Sequence, residues 1–198
     1  MKQNDYNISQ AWRTTFFQIV RQHHHAALLQ EASLKGQFGQ WTATLTEVVV
    51  SACQAMGWYA SAKGYKLDLL PMPCHEYLAL DVMAFAAGER RWRFPVAVME
   101  LENSQAEDQI AYSLWKVLCT RADLRVVFCY RYMAGTVPAL IQFLQNEVIM
   151  AMGLSGRVAL TGQTLVVVGS HNEAETFPNG FFKWWELETN SGMFKKVY

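Results

Sequence analysis

Apolar positions along this chain fall into two periods, and the change from one to the other predicts helices first and strands afterwards. From Ser9, read as an N-cap, Trp12, Phe16, Ile19, Val20 and Ala27 recur at helical spacing and predict one amphipathic helix to about Ser33. Gly36 and Gly39 end it. Val48, Val49, Ala52, Met56 and Tyr59 predict a second helix from Thr42 or Thr44 to about Lys63, closed by Gly64. Residues 65–70 alternate and read as a strand, before Pro71-Met72-Pro73 makes a turn or edge connection, since proline cannot donate to a ladder.

The middle of the chain carries the strongest pattern. Residues 76–85 form a mostly apolar strand interrupted by Asp81, and residues 94–103 a second, in which Glu100 and Glu102 share a face. Ala87-Gly88-Glu89 is a turn signal between them, so an antiparallel hairpin is expected with Arg90, Arg91, Trp92 and Arg93 at one end and the acids at the other. Asp108 caps a predicted helix of about fourteen residues with Ile110, Leu114, Val117 and Leu118 as its buried stripe. The nearly unbroken apolar run 124–130 is what a central strand covered on both faces looks like, and strand–helix–strand favours a right-handed parallel crossover. A helix over 138–152, ended by Gly153, precedes predicted strands at 157–160, 164–168, 181–187 and 193–197, with Asn190-Ser191-Gly192 as a hairpin turn. The expectation is one α/β (α+β) domain over residues 1–198, with residues 65–131 as its core and 157–198 as a C-terminal β extension, joining the sheet or forming a dimerising flap.

Composition narrows the partners. With 198 residues, 52% of them hydrophobic and 17% charged, the chain supports one substantial core. Seventeen basic and seventeen acidic residues leave no global field for nucleic acid or an anionic membrane, so any contact with DNA needs a local patch. Cys53, Cys74, Cys119 and Cys129 have no zinc spacing and read as buried thiols of a reducing compartment. No apolar run approaches the roughly 18 residues of a membrane span. The polar start, residues 1–6, lacks the apolar core of a signal peptide, so a cytoplasmic protein is expected.

Two acids closing an apolar strand are costly to bury unless something positive binds them, and a divalent metal is the obvious candidate. Crowding three acids also predicts a raised pKa for at least one. An acid on one strand, Glu100-Leu101-Glu102-Asn103-Ser104 on the next, then residues 108–121 as helix and 124–130 as strand, resemble the PD-(D/E)XK nuclease superfamily. The resemblance implies a restriction-endonuclease-like central mixed sheet flanked by helices, and hydrolysis of DNA phosphodiester bonds with Mg2+ or Mn2+. Asp81 and Glu100 would be its metal-binding acids and Glu102 would stand where the superfamily usually has lysine, as some of its restriction endonucleases do. With the Leu101 backbone carbonyl, Asp81 and Glu100 would form a hard oxygen site, and Glu102 would orient the attacking water. In several branches a preceding helix adds an acid, a part open to Glu47; the other reading of Glu47 is a first-turn carboxylate favoured by the helix dipole. Lys116 is a candidate for the missing cation, or else a solvated helix lysine or phosphate contact. The alternative function is an inactive, nuclease-like binding module.

Three further features remain. Arg90, Arg91 and Arg93 around Trp92 suit phosphates with a stacking neighbour, or make a charged hairpin with one packed tryptophan. His23, His24 and His25 point about 100° apart and cannot chelate one metal, which leaves solvated or capping roles. Trp184 and Trp185 point to opposite faces of a strand, an aromatic tail that suits a homodimer. Nucleophile-elbow, phosphate-loop and dinucleotide motifs are missing from the sequence.

Overall fold

The computed structural model describes residues 7–198, so the N-terminal stretch read for a signal peptide lies outside it. Seven strands form one mixed sheet in which neighbours in space are neighbours in the chain: β1 (Trp58–Ala62), β2 (Val82–Ala86), β3 (Ala97–Leu101), β4 (Leu124–Arg131), β5 (Gln163–Ser170), β6 (Phe182–Glu188) and β7 (Met193–Val197). β3, β4 and β5 are parallel and the outer pairs antiparallel. The C-terminal strands therefore extend the sheet, and every residue of the central β4 is buried, as its unbroken apolar run requires.

The two faces of the sheet are packed with different chemistry. Against one lie α1 (Ile8–Val20), α2 (His23–Leu34) and α3 (Phe38–Ala55), with Trp12, Phe16 and Trp41 meeting Phe128, Phe182 and Trp184. Against the other lie α4 (Glu107–Leu118), the β3–β4 crossover, and α5 (Val137–Leu144), part of the β4–β5 crossover, with a mainly aliphatic core. Arg125 is buried within this layer and satisfies the end of α4, its Nε donating to the Val117 and Thr120 carbonyls at 3.1 Å. Trp184 and Trp185 do take opposite faces, but both are buried in the chain's own cores.

Several expected elements are corrected. The first helix breaks at Gln22 (ψ 133°), because its two halves pack with separate stripes, Trp12/Phe16/Val20 and His25/Leu29/Ala32; its cap is Asn7, which accepts from Gln10 N. His25 is buried at the break, its Nδ1 3.2 Å from the Ile19 carbonyl. The second helix starts earlier and stops at Ala55, since Gly57 (φ +77°), and not Gly64, supplies the left-handed exit. β1 therefore takes residues 58–62 and the predicted strand over 65–70 is irregular, with isolated bridges at Ala62–Tyr65 and Leu67–Cys74. The first acid-bearing strand begins only at Val82, after a 3-10 turn over Tyr77–Ala79. The strand expected over 157–160 is absent: its first three residues close a helix, α6 (Gly153–Ala159), and Leu160 caps it in an extended conformation. Cys53 and Cys129 are buried and burial pushes their thiols up to about 12, but Cys119 is exposed.

The stretch Ala134–Ala159 is long and apolar enough, by length and composition, to cross a membrane, contrary to the expectation from the apolar runs. It is not one rod. α5 gives way to a π turn at Gln145–Ile149 and a 3-10 turn at Met150–Met152, and Gly153 (φ +69°) breaks it before α6. Val137, Leu140, Ile141 and Leu144 are spent on the aliphatic core.

Candidate functional site

Strand pairing carries the acids to one end of the β2–β3 hairpin. Val82 is the partner of Met99, so Asp81, one residue before β2, stands across from Glu100. Its Oδ2 accepts the Leu101 N–H at 2.7 Å, continuing the ladder with a side-chain oxygen and pinning the end of β3. Just upstream, Leu78 and Ala79 both hold left-handed conformations, φ 56° and 53°, which side chains disfavour and neighbours must enforce. Lys116 Nζ, reaching from α4, donates to the Ala79 carbonyl at 2.7 Å and supplies part of that restraint.

Alternation then divides the carboxylates between the faces of the sheet. Glu100 shares its face with Val98 and so points to the α4 side, where it is 4% exposed and its Oε2 lies 2.8 Å from Lys116 Nζ. Its Oε1 has no hydrogen-bond partner among the described residues. Burial pushes the Glu100 carboxyl up to about 7; the hydrogen bond and charge of Lys116 and the Asp81 peptide N–H pull it down, while the charge of Asp81 adds to the rise. A raised carboxyl was expected from crowding, but burial is the larger cause. Glu102, next on the same face, accepts the Ser104 N–H at Oε1 (2.6 Å) and the Ser113 hydroxyl at Oε2 (3.1 Å). Its Oε2 ties the end of β3 to α4, and its Oε1 holds the connection between them.

The α3 side is open. A cavity of about 670 Å3 lies between α3 and the β1–β2 connection, bordered by Glu47, Glu76, Asp81, Lys63, Tyr65 and Leu101. Glu47 sits in the middle of α3, not in its first turn, because the helix begins at Phe38. Its Oε1 is 3.5 Å from His25 Nε2. Burial raises the Tyr65 phenol and the nearby charge of Glu47 raises it further. Asp81, Leu101 and Glu47 thus share the cavity, whereas Glu100 packs on the far side of the sheet's end. Among the described residues no three His, Cys, Asp or Glu side chains are grouped to hold a metal ion.

The basic residues divide as well. Arg90 and Arg91 are exposed at the opposite end of the hairpin, and Arg93 Nε donates to the Arg90 carbonyl at 3.1 Å. The five residues of β2 separate them from the acids by about 17 Å at ~3.4 Å per residue. Lys116, grouped with them as a phosphate contact, belongs instead to Glu100. Sequence reasoning missed Ser113, Ser104 and Glu76. Ser113 had a signal, a hydroxyl inside the buried stripe of α4, which needs a partner.

The chain matches no protein-family model, no curated protein and no solved structure.

Proposed function

We propose that this chain is a divalent-metal-dependent nuclease with a restriction-endonuclease-like core, hydrolysing phosphodiester bonds of DNA. The observation that carries the reading is Lys116 Nζ at 2.8 Å from Glu100 Oε2. The cation missing from the Glu-x-Glu string is supplied from α4, beside the acid that faces Asp81.

The donors suit a hard cation in part. Glu100 Oε1 is a buried, unpartnered carboxylate oxygen, and Asp81 and Leu101 border a cavity open to solvent. Asp81, with Glu47 and the Leu101 carbonyl, would hold Mg2+ or Mn2+ on the cavity side, while Glu100, expected as the second metal-binding acid, packs on the α4 side and would join that ion only by turning its Oε1 around the end of β3. Such an ion supplies charge neutralisation at the phosphate and a water of lowered pKa. Lys116 orients Glu100 through Oε2 and places positive charge where the phosphate oxygens gain negative charge. In this reading Glu102 positions α4 against β3 and does not orient the attacking water, since both of its oxygens are already engaged.

Incubation with plasmid and linear DNA in magnesium or manganese tests the proposal. Cutting is expected, with Asp81→Asn and Glu100→Gln losing it and Lys116→Met slowed about a hundredfold. Absence of cutting with either ion, or cutting unchanged in Asp81→Asn, overturns it. A second reading, a nuclease-like binding module without catalysis, is favoured by the full engagement of Glu102. It expects a partner retained in chelator, and retained by Glu100→Gln.

A further inference from the structure

We propose that the exposed face of α4, together with the arginine hairpin, is a binding track for single-stranded nucleic acid. The proposal rests on the nuclease reading only in naming where the track leads. The exposed positions of α4 are Glu107, Asp108 and Gln109 in its first turn, then Tyr112 and Trp115, continued by Cys119 beyond its end. Tyr112 and Trp115 are 55% and 54% exposed, and their rings stack at 5.9 Å with only 21° between planes. Lys116 Nζ lies 5.8 Å from the Tyr112 ring, on the side facing Glu100. No core contact accounts for this pair, because the buried stripe of the helix is Ile110, Ser113, Leu114, Val117 and Leu118.

α4 runs back along β3, so its far end returns to the arginine hairpin. The Asp123 and Leu124 N–H groups both donate to the Val96 carbonyl at 3.0 Å, which fixes that junction. There the Arg121 guanidinium lies 5.7 Å from the ring of Phe94, and Phe94 and Trp92 are 76% and 62% exposed. Arg90, Arg91, Arg93 and Arg121 meet only Glu89 and Asp123 in these segments, so the patch is locally basic on a chain with no net charge. The surface is therefore a stacked pair of exposed rings on the second half of α4, continued past its end by Arg121 and Phe94 to Trp92 and the hairpin guanidiniums, with the acids Glu107 and Asp108 set apart at the helix start.

That combination of exposed rings and neighbouring guanidinium groups matches one chemistry. Rings bind the faces of unpaired bases while cations follow the phosphates, and a duplex hides those faces inside its own stack. An anionic membrane would also accept aromatic and basic groups, but it gives no reason for two rings to be stacked with one another on a helix leading to a buried Glu–Lys pair.

Binding of a fluorescein-labelled 15-mer oligothymidine by the intact chain in EDTA, followed by anisotropy, tests the track without any cutting. Trp115→Ala should weaken binding about tenfold. The pair Arg90→Ala and Arg91→Ala should lower the slope of log affinity against log salt by about 0.7 for each phosphate that is no longer neutralised. A duplex of equal length should bind less tightly. Oligothymidine affinity unchanged in Trp115→Ala, a preference for duplex, or binding confined to phosphatidylserine vesicles overturns the proposal. The two readings fail separately: a chain that binds in this way and never cuts loses the nuclease, and one that cuts regardless of Trp115 loses the track.

Discussion

The two sides of the sheet meet the same acid-bearing end in opposite ways. On the α4 side Glu100 and Glu102 are bonded to Lys116, Ser104 and Ser113, and the surface is closed. On the α3 side Glu47, Glu76 and Asp81 border an open cavity. Compensated charge on the closed side holds the strand end, the left-handed turn and α4 in place. The open side has carboxylates facing room for a ligand. Asp81 joins the two, because its carboxylate holds the Leu101 N–H while its charge reaches Glu100.

The comparison is broken most severely by removing the cation from the closed side. Lys116→Met leaves Glu100 buried without its partner, and loss of one member of a buried pair costs about 3 kcal/mol. The loss should be complete at pH 8 and fall below about 1 kcal/mol at pH 5, where Glu100 is protonated and neutral. Urea unfolding at both pH values measures it. An equal loss at the two would mean that Lys116 acts through the Ala79 carbonyl and not through the carboxylate.

Next in size is the pH dependence of the unaltered chain. Glu100 binds its proton more tightly when folded, at about 7, than at its ordinary 4.5. Its contribution to stability is therefore fully present below about pH 4.5 and is lost as the pH rises through about 7. The loss is on the order of 2 kcal/mol, taken below the full value of the shift for residual solvent screening. Glu100→Gln should flatten that part of the stability profile. A profile unchanged by the substitution would place the titrating group elsewhere.

How much of this was legible depended on whether the deciding force was local. The acid hairpin, the parallel crossover and three of the four expected C-terminal strands follow from alternation and apolar runs and are present, whereas the strand expected over 157–160 is not. The α1–α2 break was not read because no glycine or proline marks it and it follows from the separate packing of the two halves, and the end of α3 was misplaced because Gly57 and Gly64 compete as terminators and packing selected Gly57. Asp81 and Glu100 were legible as facing residues, since pairing follows from the hairpin. Their separation onto different sides was not, because Asp81 precedes the strand and escapes its alternation. The partnership of Lys116 with Glu100 depends on how α4 lies across β3, a tertiary fact that spacing along the chain only hints at.

A smaller effect sharpens the description of the closed side. Glu102→Gln keeps the shape but replaces one accepting oxygen by an amide that cannot accept from both Ser104 N–H and Ser113 Oγ. A loss of about 1 kcal/mol is expected by thermal unfolding without added metal. Crowding of like charges predicts the opposite sign. A variant that melts higher than the parent would show that repulsion among the acids outweighs the two hydrogen bonds, and the closed side would then be strained and not satisfied.

The smallest effect belongs to the open side, and there the expectation is almost no change in stability. The Glu47 side chain is 44% exposed and its only ionic neighbour among the described residues is His25 Nε2 at 3.5 Å, so Glu47→Gln should shift stability by less than about 0.5 kcal/mol. The same substitution should still be visible at Tyr65. Burial raises that phenol and the charge of Glu47 raises it further, so removing the charge leaves the burial part and moves the titration back toward its ordinary value. Following the Tyr65 ring resonances by NMR across the alkaline range measures the shift, while thermal unfolding checks that the fold is unaltered. If Glu47→Gln costs as much as Glu102→Gln, the cavity wall is held by its carboxylates just as the α4 side is. The distinction between a closed, structural side and an open, ligand-receiving side would then fail. If stability is unchanged and Tyr65 moves, Glu47 is a charge facing the cavity without a structural duty, which is what a carboxylate kept for a ligand requires.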